Sequence, residues 1–353
     1  MKSAWLRALA LTAGLLAMPS EPGRAEETQR LSLRVVGGLA DVNQFTRHER
    51  PFWTQRVVER SNGTITAEIA PFDQSGIRAS EMTRLIKLGV VPFGTILLSL
   101  LSGDEPRAAA MEIAGLNPDL DSQRRSVEAF RPVLEKIIRE QAGAELLAVY
   151  VYPAQVLFCT ERMERLADLA GRRVRTSSVL QADFVEALGA TPVITPFAAI
   201  VNSVRAKSVD CVITGTMSGN TIGLHEVTSQ IYPMPLGWGL SAFVASTGTW
   251  NAMPEEHRRF LRRELAALER EIWDAAAAET AEGIVCNIGA PGCNTGKRGR
   301  MTMASITPED DRQRIDLLRN VTLPRWLDRC GTDCAEEWNR TVGAALAINV
   351  DTP

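Results

Sequence analysis

Histidine is scarce and scattered: His48, His225 and His257 are the only three in 353 residues. His225 is followed by Glu226, yet no HExxH occurs, and none of the cysteines forms a CxxC pair. A structural or catalytic zinc needs several convergent nitrogen and sulfur ligands, so neither zinc-protease chemistry nor a zinc-bound cysteine cluster has support. His257, between Glu255, Glu256 and Arg258, reads most simply as a solvated helix start. The chain also lacks G-x-S-x-G and S-x-x-K. Without an activated nucleophile, a base and an orienting acid, an exported hydrolase is the weaker reading. We expect no enzyme, and assign no catalytic residue, metal or cofactor. Basic charge is not in excess either: 39 Lys and Arg stand against 42 Asp and Glu, which gives no electrostatic case for nucleic acid. Internal repeats and low-complexity tracts are absent.

The one long apolar run is at the start. Lys2 and Arg7 precede the small-apolar stretch from Ala8 to Met18, and Gly23-Arg24-Ala25 then leads into Glu26-Glu27-Thr28. Positive charge, a short apolar core and small residues at the cut describe a signal peptide, expected over residues 1–25 with cleavage near Ala25. The run is too short to span a bilayer, which needs about 20 residues, and no later uncharged stretch reaches that length. The mature chain is therefore expected to be periplasmic and not itself membrane-spanning. No cysteine near the cut offers a lipid anchor. Cleavage moves the net charge from −3 to −5, by removing Lys2, Arg7, Arg24 and Glu21. About 328 mature residues exceed what one core usually holds, so two lobes are expected.

All six cysteines fall in the mature part, an even number that favours disulfides in an exported chain. Cys286 and Cys293 flank the turn residues Gly289, Pro291 and Gly292; Cys330 and Cys334 bracket Gly331-Thr332-Asp333. Pairing within those two short loops leaves Cys159 with Cys211.

Alternation and β-branching predict strands at Leu31–Gly37, Thr64–Pro71, Val90–Leu98 and Ala144–Tyr152, with helices at Phe45–Arg60, Ser80–Leu88 and Ser122–Gln141 between them. The rhythm restarts with strands at Arg172–Thr176, Thr191–Ile194 and Val209–Thr214, alternating with helices at Val179–Leu188 and Phe197–Arg205. Val227–Tyr232 and Ala242–Ser246 read as returning strands. Alternating β and α elements of this kind imply sheets faced by helices. A helix from Pro254 to about Val285 would run over ~40 Å, longer than one small lobe is wide. Further helices are expected at Pro308–Val321 and Ala335–Ile348.

Four blocks carry a resemblance: Leu169-Ala-Gly-Arg-Arg-Val-Arg-Thr176, Phe184-Val-Glu-Ala-Leu-Gly-Ala-Thr-Pro192, Thr195-Pro-Phe-Ala198 and Val209-Asp-Cys-Val-Ile-Thr-Gly215. In order and spacing they resemble the solute-binding subunit of tripartite ATP-independent periplasmic (TRAP) transporters, of the dicarboxylate-binding type. The resemblance implies an α/β, two-lobed periplasmic-binding-protein fold with mixed sheets, crossing strands and a long helix spanning both lobes. Lobe I would comprise 26–152 plus about 240–280, and lobe II 153–239 plus about 281–353. The implied partners are a small organic acid, held in the inter-lobe cleft, and TRAP-type membrane permease subunits. A receptor that feeds a sensor instead would have the same fold.

The resemblance also selects residues. Arg175 takes the position that holds the ligand carboxylate, and its chemistry agrees, because a guanidinium meets a carboxylate through two parallel hydrogen bonds. Strand alternation places Arg173 beside Arg175 on one face and Arg172 with Val174 on the other, and we expect Arg172 and Arg173 at a solvated edge. Phe197 stands where similar receptors place an aromatic beside the ligand, and Thr214 where relatives often carry an asparagine. Gln155 replaces a second arginine found in many sugar-acid receptors, which removes one ion pair and argues against a sialic-acid-like ligand. Trp238, between Gly237 and Gly239, is a candidate cleft residue. On lobe I only Asn43, Gln44 and Gln74 offer polar candidates, each read as surface before site.

Overall fold

A computed structural model describes residues 30–352; the leader expected at 1–25 and its cut near Ala25 lie outside the described residues. Nine strands join in one mixed sheet: β1 Leu31–Gly37, β2 Ile65–Pro71, β3 Phe93–Leu97, β4 Ala144–Cys159, β5 Arg173–Thr176, β6 Thr191–Ile194, β7 Cys211–Gly215, β8 Gln230–Ser246 and β9 Thr302–Met303. Their order is β2-β1-β3-β8-β4-β7-β5-β6, with β9 beside β8. At one end β1 pairs parallel with β2 and β3, and at the other β5 pairs parallel with β6 and β7. These are the sheets of two lobes. The antiparallel pair β4 and β8, 16 and 17 residues long, runs through both and joins them.

The crossing strands depart from the sequence reading, which stops the first at Tyr152 and splits the second in two. Prolines hide the continuity. Pro153 lies in β4 where the register slips between Val151 and Ala154, and Pro233 and Pro235 lie in β8 opposite the slip between Gln155 and Leu157. Proline gives no ladder hydrogen bond, so it is tolerated where pairing is already interrupted.

One large cluster, from Met82 and Phe130 to Leu180 and Val212, runs through both ends of the sheet, and each end has a further core of its own. In lobe I, Trp53, Phe93, Tyr150 and Phe243 pack ring to ring, with successive centroids about 6 Å apart. In lobe II, Leu166, Val174, Phe184, Ile213 and Tyr232 fill the space between sheet and helices. The first helix, over 43–60, has two π-type stretches, Gln44–Glu49 and Phe52–Arg56, on either side of Pro51, whose missing N–H and ring bulk disturb the ordinary ladder.

The long helix Glu255–Ile288 has 34 residues, about 50 Å at 1.5 Å per residue, and meets both lobes. Its first half packs by large side chains, with Leu261, Leu265, Leu268 and Ile272 in the lobe I core. His257 is buried in this half, not solvated as expected at a helix start. The second half packs by close approach. A Cβ on Gly283 would lie 2.4 Å from the Met217 nitrogen, so only glycine lets the helix Thr216–Thr221 come this near. Asn287 seals the seam, its Nδ2 donating to the Thr216 and Gly283 carbonyls at 3.0 and 2.7 Å.

The C-terminal helices, expected with lobe II, also bond to a residue expected in lobe I. Arg325 and Arg329 of the helix Leu323–Cys330 reach Asp183 in lobe II, while Trp326 Nε1 donates to the Pro106 carbonyl at 2.8 Å. The short helix Val342–Leu346 then packs on Leu120–Ala142.

Three disulfides form, Cys159–Cys211, Cys286–Cys293 and Cys330–Cys334, in the pairing read from spacing. The first joins directly opposed residues of β4 and β7. Among the described residues no helix is long and apolar enough to cross a membrane, and no acidic, His or Cys cluster is fit to hold a metal ion.

Candidate ligand-binding cleft

A cavity of about 520 Å³ lies between the lobes, beside the crossing strands. Arg175, Phe197, Thr214, Gln155 and Trp238, chosen separately from sequence, all line it. They come together because β5 and β7 end at the cleft, Phe197 follows β6 there, and Gln155 and Trp238 lie on the crossing strands where the register slips.

Arg175 is the centre of the lobe II wall. It is 4% exposed, and no acid pairs with it among the described residues. Its Nε and Nη2 donate to the Thr195 carbonyl at 2.9 and 2.7 Å, and Nη1 donates to the Ile213 carbonyl at 2.8 Å. Burial pushes its pKa down to about 10, so it remains a cation at neutral pH. A buried guanidinium neutralised only by carbonyl dipoles is costly, and an anion in the cleft would offset that cost.

The neighbouring arginines separate by their partners. Arg173 at the start of β5 forms a two-point pair with Asp210, at 3.0 and 2.7 Å. Arg172 donates to the Glu161 and Arg162 carbonyls. Val174 points into the lobe II core. Alternation alone puts Arg173 and Arg175 together; Asp210 ties the first at the surface, while the carbonyls of Thr195 and Ile213 draw the second inward.

Next to Arg175 the polar groups hold one another. The Gln155 side-chain oxygen accepts from Gln181 Nε2, and the Gln181 oxygen accepts from the Ser177 amide and hydroxyl at 2.9 and 3.1 Å. This fixes both amides in one orientation and leaves the Gln155 Nε2 end toward Gly239. Sequence reasoning missed Gln181, which the regular helix pattern of Val179–Ala187 conceals. Trp238 lines the cleft but is also structural, being buried with its Nε1 bonded to the Asn117 carbonyl at 3.1 Å.

Lobe I contributes different chemistry. Asn43 and Gln44, expected at the surface, are buried; Gln74 is exposed and does not line the cavity. Gln44 serves a buried acid that the sequence does not advertise, donating to Glu49 Oε1 at 2.8 Å while the Gly38 amide donates to Oε2 at 2.9 Å. A Cβ on Gly38 would lie 2.9 Å from Glu49, so the Gly37-Gly38 pair makes room for this carboxyl and not for a ligand-facing side chain. Burial raises Glu49 to about 7. A second missed acid, Glu112, lines the cavity itself: Oε1 accepts from the Leu240 amide at 2.9 Å, while Oε2 is shut from solvent without a partner. Desolvation raises its pKa to about 8. Asp73 also faces the cleft, with Oδ1 bonded to the Ala40 amide at 3.0 Å, and burial raises it above the ordinary carboxylate range.

Residues 42–295 match the model of a protein family described as bacterial extracellular solute-binding protein, family 7. No curated protein sequence matches the chain. Several solved structures share the fold. DctP7 of Bordetella pertussis, an extracytoplasmic solute receptor binding pyroglutamic acid, superposes with a TM-score of 0.78 at 20% identity, over 88% of this chain and 98% of that one. A TRAP periplasmic solute-binding protein of Desulfovibrio salexigens with bound orotic acid gives 0.77 at 16% identity, over 90% and 98%. One from Shewanella oneidensis with bound succinate gives 0.75 at 19% identity, over 91% and 100%.

Proposed function

Since the chain belongs to family 7 of the bacterial extracellular solute-binding proteins, with Arg175 and the lobe II wall inside the matched span, we propose that it is a TRAP-type receptor for a small organic acid. The acid's carboxylate would dock on Arg175 between the lobes, and the receptor would deliver it to membrane permease subunits for ion-gradient-driven uptake. One observation carries this reading: a buried, charged, acid-free guanidinium in the wall of an inter-lobe cavity.

The mechanism follows from differential contact. Among the described residues Arg175 bonds only to carbonyls. A carboxylate placed against it adds charge-assisted hydrogen bonds, each contributing roughly 1.5–3 kcal/mol. Gln155 and Thr214 supply further donors beside it. Side chains from both lobes line the space, so a ligand that fills it touches both walls and favours the arrangement in which they are close. Nothing in this needs a nucleophile or a base, and the protein is read as a binder and not as an enzyme. Capture outside the cytoplasm suits the family and the leader expected at 1–25.

A thermal-shift screen of the mature protein against small carboxylic acids tests the proposal, with Arg175→Ala alongside. A ligand at a hundredfold excess over Kd should stabilise the fold by about 2.7 kcal/mol. That shift should vanish in the variant; a full shift retained without Arg175 would sink the assignment of the anchor. Delivery is tested separately, by uptake of the identified acid in cells with and without the permease subunits.

A further inference from the structure

We propose that the acid held in this cleft is a monocarboxylate with a bulky apolar body, aromatic or branched, and neither a dicarboxylate nor a polyhydroxy acid. The inference rests on the carboxylate-receptor reading and narrows it to a ligand class.

The cleft has one buried cation. Among the described residues lining it, the other cation is Arg78, whose side chain is 80% exposed and already paired with Glu81 at 3.0 Å. A dicarboxylate that spent one group on Arg175 would need donors for the second. The facing wall offers no buried cation among its described residues: it presents the acids Asp73 and Glu112, with the neutral hydroxyls of Ser80, Ser99 and Tyr152. A proton on Glu112 would not convert it into a donor for the ligand, because its free oxygen has no surface in the cavity and its other oxygen is taken by the Leu240 amide. Across the cleft a second anion would therefore meet two carboxyls and apolar surface with only neutral hydroxyls to receive it, which disfavours it.

The remaining lining is mainly hydrocarbon. Phe72, Leu97 and Leu100 form one side, and Ile194, Phe197 and Leu236 the other. Most hydrogen-bonding side chains belong to lobe II, and among the described residues the facing wall adds only Asp73 and the hydroxyls of Ser80, Ser99 and Tyr152, so a polyhydroxy chain would give up water at more groups than it finds partners there. Two of the apolar residues are unusually exposed for their size: Leu100 at 39% and Ile194 at 61%. They come from opposite lobes and both line the cavity, so an apolar ligand body would cover surface that otherwise stays in water. The cavity volume lies within the roughly 300–1,000 Å³ typical of sites for larger small molecules, and a four-carbon diacid would leave much of it empty.

Gly237 provides the control. It lines the cleft, a Cβ added there meets no heavy atom within 4 Å, and its backbone does not require glycine. A leucine at this position should occupy the ligand's space without disturbing the fold.

The experiment is isothermal titration of mature protein freed of bound solute by denaturation and refolding. The probes are phenylacetate, 3-phenylpropionate and 4-methylpentanoate against succinate, malate and gluconate. The expected result is that at least one apolar monocarboxylate binds about tenfold or more tighter than every diacid or hydroxy acid. That binding should be lost in Arg175→Ala and weakened at least about tenfold in Gly237→Leu, whose melting midpoint stays near that of the parent. Tightest binding of succinate, malate or gluconate, dependent on Arg175, would overturn the ligand class and leave the carboxylate receptor standing. Absence of Arg175-dependent binding for all six acids would overturn both. Unchanged binding of an apolar acid in Gly237→Leu would also overturn the proposal, since the body would then lie elsewhere.

Discussion

The two walls of the cleft are built on different principles. Lobe II presents a cation, Arg175, which two backbone carbonyls hold in place, with a brace of amides and hydroxyls from Gln155, Gln181 and Ser177 nearby. Lobe I presents carboxyls that burial holds near neutrality, Glu112 at the cavity and Glu49 behind Gly38, together with leucines and phenylalanines. A fixed charge with fixed donors reads one end of a ligand stringently. An apolar surface reads size and shape, and tolerates variation. For the proposed receptor, the carboxylate end would then be the invariant part of recognition and the body the part that defines the solute.

Among substitutions, the largest effect should come from the support behind the cationic wall. Cys159–Cys211 closes a separation of 52 residues and lies next to β5, where Val174 pairs with Cys211. By chain-entropy arguments its loss costs about 4 kcal/mol, against roughly 2 kcal/mol for each of the short bridges. Denaturant unfolding of Cys159→Ser/Cys211→Ser should show this, together with weaker acid binding; the Cys330→Ser/Cys334→Ser pair should leave binding intact. If both pairs behaved alike, the second lobe would not depend on its bridge in the way described.

Next in size is the fork itself. Arg175→Lys keeps the charge but replaces a planar, two-point donor by a single ammonium, so affinity for the carboxylate should fall by one to two orders of magnitude, about 1.5–3 kcal/mol. Calorimetry reads this directly. Retained affinity would mean that charge alone, and not geometry, defines the wall.

The acidic wall makes a pH prediction. Burial raises Glu49 to about 7 and Glu112 to about 8, from a usual 4.5, so the folded chain keeps protons that the unfolded chain releases. Their stabilisation is complete below about pH 4.5 and is lost as pH rises through 7 and 8, at about 1.4 kcal/mol per pH unit for each group while the two states differ by a full proton. Unfolding free energy should therefore fall between pH 5 and 8, and Glu112→Gln should flatten the upper part of that slope. A variant with the parental slope up to pH 8 would show that Glu112 is ionised in the fold.

The smallest effect belongs to the lips of the cleft. Leu100→Ser and Ile194→Ser remove exposed side chains, so stability should change by no more than about 0.5 kcal/mol. Binding of an apolar acid should nevertheless weaken several-fold, because each variant removes apolar surface the ligand would cover.

The sequence is unevenly readable, and the reasons are physical. Alternation locates β1 to its exact ends, Leu31–Gly37, and the parallel strands of lobe II to within about two residues, because short runs with β-branched residues between helical stretches mark strands. The crossing strands are underestimated because Pro153, Pro233 and Pro235 mimic chain breaks while occupying bulges. Short helices such as Pro106–Glu112 and Thr247–Ala252 carry too few turns to show a period. Arg175 is legible because its motif is local in sequence. Glu112 is not, since its backbone partner, Leu240, is 128 positions away, and Glu49 is not, since a glutamate in a helix looks the same from sequence whether it faces water or the Gly38 amide.

The disulfides have a consequence for maturation. Cys159–Cys211 fastens two adjacent strands of one lobe, Cys286–Cys293 closes the loop after the long helix, and Cys330–Cys334 ties two successive C-terminal helices. None links the opposing walls of the cleft. All three can thus close whether the cavity is filled or vacant, so oxidation sets no condition on occupancy. An exported chain can complete its covalent chemistry while empty and still accept solute afterwards.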